Sequence, residues 1–182
     1  MPWSNRDLNL FHGTNSHAMN LASPALHQML PGFSVNLTRC RPLTDFGRGF
    51  YTTTNDHQAR QWGNDSVRRL ASRSPAIAGQ ALVLIFTVKR DWLAALENLC
   101  FVRPTPDYFD LVADCRSGFP PHQRNPAPNR HYDVVYGPVS LGFQRLVIHD
   151  CDQVSLHSQT VADDLPQPLV HDIGSGIGGL FP

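Results

Sequence analysis

The sequence predicts an α+β fold, and three observations carry that expectation. Gln80 to Lys89 is almost continuously apolar and reads as a strand buried on both faces. After Asn55 the apolar residues recur at helical spacing, and several short alternating segments lie elsewhere in the chain. These strands and helices do not follow a regular βαβ order, which sets α+β ahead of a doubly wound sheet.

The elements follow in order. Asp7 to Phe11 alternates polar and apolar residues, as a half-buried strand does. Pro24 to Met29 predicts a short helix, since Pro suits a first turn and Ala, Leu and Met follow. Residues 31–44 read as loop. Gly49 to Thr54 is a strand, with Phe50, Thr52 and Thr54 on one face and Tyr51 and Thr53 on the other. Asn55 with Gln58 resembles a capping box. Ala59, Trp62, Val67 and Leu70 supply the apolar stripe of the helix that follows.

Asp91 caps a short helix through Leu96, and Thr105 or Asp107 opens another to about Cys115. Gly118 to Arg130 holds four prolines and reads as loop. Tyr132 to Tyr136, Gln144 to His149 and Gln153 to His157 are three further strands, and Ser158 caps a helix through Leu165. Residues 1–165 therefore form one domain, and residues 166–182 form a flexible Pro/Gly-rich tail.

Composition narrows the function classes. The chain has 182 residues, 41% of them hydrophobic, and zero formal net charge. That balance argues against broad electrostatic capture of nucleic acid or an anionic membrane. No apolar run approaches the roughly 18 residues of a membrane span, and the start of the chain lacks a signal peptide's apolar core. The expected location is cytoplasmic, or reached through a signal-less secretion system. Cys40, Cys100, Cys115 and Cys151 lack CxxC spacing, and His149, Asp150, Cys151 and His157 do not follow a ligand pattern, so no metal is expected. Glu97 is the only Glu and Lys89 the only Lys.

Four segments then fall into a recognisable order. They are Leu10-Phe11-His12-Gly13-Thr14; Asp45-Phe46-Gly47-Arg48-Gly49-Phe50-Tyr51-Thr52-Thr53 with Gln58-Ala59 and Trp62; Asn129 to Val139; and Asp152 to Ser158. In that order the chain resembles the ADP-ribosyltransferase superfamily. It is most similar to a bacterial group with ADP-ribosyltransferase-like features. The resemblance implies a split β-sandwich with short flanking helices, and NAD as substrate. His12 matches the His that holds the adenosine ribose, Gly13 and Thr14 the pair that grips the nicotinamide amide, and Tyr51 the aromatic that stacks on the nicotinamide ring. Such a site orients a leaving pyridine and stabilises oxocarbenium character. Arg48 and Arg130 are candidate pyrophosphate contacts, because a planar guanidinium fork suits phosphate oxygens.

The superfamily's late-strand Glu has no counterpart here, and Gln153 takes the matching position. Gln can hydrogen-bond a ribose hydroxyl but brings no charge and cannot act as a general base. Asp150 and Asp152 lie close by in sequence. The expected catalytic set is Gln153, Tyr51 and His12. The resemblance implies mono-ADP-ribosylation of a protein acceptor by an effector or toxin, with an immunity or antitoxin protein as a further partner. Two alternatives stand beside it: an NAD glycohydrolase with water as acceptor, and a catalytically silent domain that binds a nucleotide or partner. The plainer readings also stand. His12 suits an ordinary strand position, Gly47 and Gly49 suit a turn, and Gln153 suits a solvent-facing strand.

Overall fold

β1 (Leu8–Asn15), β3 (Ala81–Val88) and β7 (Leu169–Ile173) form a three-stranded antiparallel sheet with β3 in the centre. The computed structural model describes residues 5–77, 79–123 and 132–182. Residues 8–33, 52–88 and 166–182 make one compact unit, and residues 34–51 and 89–165 make the body of another. Each has its own sheet.

In the first of these, β3 is buried on both faces, as its unbroken apolar run predicts. Ala81 and Val83 meet α1 (Asp56–Arg73) through Ala59 and Val67, with Phe181 completing the cluster. Leu82, Leu84 and Phe86 lie on the opposite face by strand alternation, and all three are fully buried. The Asn55 side chain accepts the Gln58 N–H at 3.2 Å and caps α1, so the start read from sequence holds.

Two expectations fail here. Pro24 to Met29 is not helical: His27 N–H donates to Val170 O, Val170 N–H donates to Gln28 O, and Met29 bridges Leu169. Its backbone makes a single turn, Gln28 N–H donating to Ala25 O at 3.1 Å, and otherwise pairs with β7. Residues 166–182 are not a loose tail. They contain β7 and a 3-10 turn, and they bury Val170 and Phe181. The Asn64 side chain donates to Phe181 O at 3.2 Å and accepts its N–H at 2.7 Å, tying the end of the chain to α1.

The other unit carries a four-stranded sheet in the order β2-β6-β5-β4. The strands are β2 (Phe50–Thr52), β4 (Asn98–Cys100), β5 (Val134–Ser140) and β6 (Val147–Leu156). β5 runs antiparallel to β6 and parallel to β4. α3 (Pro106–Arg116), capped by Thr105, packs Tyr108 and Val112 against Phe46 and Val135. α2 (Arg90–Ala94) and α4 (Gln159–Asp163) are short, and Ser158 makes no side-chain cap bond. The chain is thus α+β with two sheets and a few mostly short helices.

The two strands expected at Gln144–His149 and Gln153–His157 are one strand, β6, with a bulge. Pro138 pairs with Asp152 and Ser140 with Val147, so Ile148 to Cys151 loop out opposite Val139. Asp150 sits within the bulge at φ 54°. The Pro-rich loop up to Arg130 falls largely at residues 124–131, outside the described residues.

Candidate functional site

The Thr44–Gly47 turn delivers Tyr51, and Tyr51 in turn holds the turn together. Gly47 has φ 79°, a left-handed conformation that favours glycine. Tyr51 Oη accepts the Phe46 N–H at 2.9 Å, contacts Thr44 Oγ1 at 2.8 Å, and donates to Gly47 O at 2.9 Å. Burial pushes this phenol well above its ordinary range. The residue as a whole is partly buried, and its hydroxyl end is anchored in the turn. Phe46 stacks on that ring at 6.4 Å and 18°, and His157 approaches edge-on at 6.3 Å. Gly49 is required by space: a Cβ there would lie 2.7 Å from the His157 ring.

Arg48, a candidate phosphate contact, uses Nη1 to donate to Thr38 O at 2.5 Å and Cys40 O at 2.8 Å. Its guanidinium therefore closes the loop around the 3-10 turn Leu37–Arg39. Its carbonyl accepts the His157 Nδ1 hydrogen at 2.8 Å. His157 Nε2 lies 2.8 Å from Ser155 Oγ, which donates to Val135 O at 3.1 Å.

Gln153 lies on β6, the strand beside β2, and is nearly fully buried. Its Nε2 donates to Asp45 Oδ2 at 2.7 Å and to Pro138 O at 2.9 Å. Asp45 is equally buried and gathers further donors: the Ser140 N–H at 2.7 Å, Ser140 Oγ at 2.7 Å and Arg116 Nε at 2.7 Å. Arg116 Nη2 also reaches Asp45 Oδ1, so the buried carboxylate has a cation beside it. Tyr108 Oη donates to the same Pro138 carbonyl at 2.9 Å, and burial raises its phenol well above the usual range.

Residues 33–142, more than half of the chain, match a family described as Protein of unknown function (DUF3990). The chain belongs to DUF3990. No curated protein and no solved structure matches. Tyr51, Arg48, Asp45, Arg116 and Ser140 fall inside the DUF3990 match, whereas His12, Gly13, Thr14 and Gln153 fall outside it.

Of the residues expected from the DUF3990 sequence, Tyr51 and Gln153 come onto neighbouring strands of one sheet. His12, Gly13 and Thr14 lie together on β1 in the other unit, where His12 is half-buried and Thr14 buried. Arg130 lies outside the described residues. Asp45, Ser140, Arg116 and His157 were not singled out as site residues from sequence. The only signal for Asp45 was its place just before Phe46-Gly47. Among the described residues no group of three His, Cys, Asp or Glu is arranged to hold a metal, and no helix is long and apolar enough to cross a membrane.

Proposed function

We propose that this chain is an NAD-dependent mono-ADP-ribosyltransferase of ADP-ribosyltransferase-like fold, acting on a protein acceptor in the manner of a bacterial effector or toxin. The observation that carries the reading is the adjacency of β2 and β6, which sets Tyr51 and Gln153 on neighbouring strands. His12, Gly13 and Thr14 on β1 complete the motif order of the resemblance. The residues fit the substrate. Tyr51 offers a rigidly anchored ring to stack on a cationic pyridine, and Gln153 offers a polar group to a ribose hydroxyl.

In the proposed reaction the bond between the ribose C1 and the nicotinamide nitrogen breaks, and its electron pair leaves with neutral nicotinamide. The acceptor's lone pair forms the new bond to C1, and the acceptor proton passes to solvent. Tyr51 orients the leaving ring, His12 holds the adenosine ribose, and Gln153 holds the ribose that bears the charge.

The test uses NAD labelled on its adenosine half with cell extract, while free nicotinamide is followed in parallel. Wild type is expected to label a protein band, and Gln153→Ala and His12→Ala to lower that labelling on the order of a hundredfold. Labelling that survives both substitutions unchanged removes the assignment. Nicotinamide release without a labelled band makes the protein an NAD glycohydrolase. Neither signal, with NAD binding by calorimetry, leaves a silent binding domain.

A further inference from the structure

We propose that Asp45 is a positioning residue that fixes Gln153 as a pure hydrogen-bond acceptor and excludes a glutamate from that position. The inference rests on the ADP-ribosyl-transfer reading for the identity of the substrate, but its geometry stands without it.

A Gln amide has two donor hydrogens and one acceptor oxygen. Nε2 of Gln153 faces a carboxylate oxygen, Asp45 Oδ2 at 2.7 Å, and a carbonyl oxygen, Pro138 O at 2.9 Å. Both partners accept and neither donates, so they settle which end of the amide is nitrogen. Both hydrogens are spent on them. The carbonyl Oε1 is the polar atom left to offer, and it presents a substrate hydroxyl with the same acceptor that one oxygen of a carboxylate would.

A glutamate at this position would place an oxygen with no hydrogen where Nε2 now sits. That oxygen would face the Asp45 carboxylate and the Pro138 carbonyl together. Arg116 offers little relief, because it and Ser140 Oγ already occupy the other oxygen, Asp45 Oδ1, while the Ser140 N–H takes Oδ2. Tyr108 Oη already donates to Pro138 O. The pocket is therefore built for an amide, and the exchange that restores the superfamily residue disrupts it.

Three proteins decide the matter: wild type, Gln153→Glu and Gln153→Leu. Each is melted at pH 8 and pH 5, and each is assayed for nicotinamide release from NAD. Gln153→Glu is expected to melt roughly 10 °C below wild type at pH 8. The gap narrows to about 3 °C at pH 5. The sign follows from the raised folded-state pKa of a carboxyl set against Asp45: the penalty exists where the introduced carboxyl is ionised and fades as acid protonates it. The activity of Gln153→Glu relative to wild type at the same pH is expected to be at least about tenfold higher at pH 5 than at pH 8. The ratio cancels the titration of other groups, and a merely structural lesion would not move it this way. Gln153→Leu removes the amide without adding charge, so it melts above Gln153→Glu at pH 8 and releases little nicotinamide at either pH.

A Gln153→Glu protein as stable as wild type at pH 8, a gap that does not close in acid, or Gln153→Glu more active than wild type at pH 8 overturns the proposal. Gln153→Leu melting below Gln153→Glu at pH 8 overturns it too. Melting as expected with no nicotinamide release from wild type overturns the substrate reading and the acceptor role with it, leaving Asp45 a structural residue alone.

Discussion

Gly13 shows why a motif residue needs its packing accounted for before its chemistry. A Cβ there would lie 2.0 Å from Ala59 O and 2.6 Å from Gly63 N, both backbone atoms of α1. Neither can swing aside, so the close contact between β1 and α1 demands glycine whatever the strand binds. Gly13→Ala is expected to cost about 3 kcal/mol or more by forcing the helix off the sheet. Urea unfolding reads it as a lowered midpoint. A midpoint unchanged within error would show that α1 yields, and Gly13 would then be better explained by a ligand. Loss of activity in this variant alone would not establish nicotinamide binding, which is why His12→Ala is the cleaner probe.

Among the elements, β7 is the one whose removal is most telling. A chain stopped at Leu165 would lose the strand that pairs with β3 and the buried Val170 and Phe181. Burial of those two side chains is worth about 1.5–3 kcal/mol each, a large share of a typical 5–15 kcal/mol stability. The truncated protein is expected to lose cooperative thermal unfolding or to melt more than about 10 °C lower by circular dichroism. Wild-type melting in the truncated chain would mean that the strand is an accessory. Local signals were legible: the Asn55 cap reaches only three residues along the chain, and the unbroken run of β3 needs no partner to be read. β7 was hidden because its pairing is dictated by β3, far away in the chain, while Pro and Gly around it mimic a tail. The bulge in β6 looked like a turn between two strands for the same reason. At the site, the Phe46 to Tyr51 segment was readable because Tyr51 closes a turn four to seven residues away. The Asp45 bonds to Ser140 and Gln153 span 95 and 108 residues, and no local pattern announces a contact of that kind.

For the whole molecule, the zero formal charge conceals a one-sided set of displaced ionisable groups. Burial holds the Tyr51 and Tyr108 phenols and the Cys115 thiol in their neutral forms, the thiol pushed up to about 12 from 9.0. In the unfolded chain the thiol ionises from about pH 9 and the phenols from about pH 10. Above pH 9 the folded chain therefore keeps protons that the unfolded chain releases, and stability falls as pH rises. Each such group contributes at most about 1.4 kcal/mol per pH unit between its two pKa values. Melting temperature is expected to decline steadily from pH 9 to 11, with a shallower decline in Cys115→Ala. Phenolate absorbance of the native protein at pH 11 should account for fewer than the four tyrosines of the chain, the remainder appearing only on denaturation. If all four titrate together near pH 10 with the fold intact, the Tyr51 hydroxyl is not held in the turn. The anchored ring on which the nicotinamide-stacking role depends would then have to be given up.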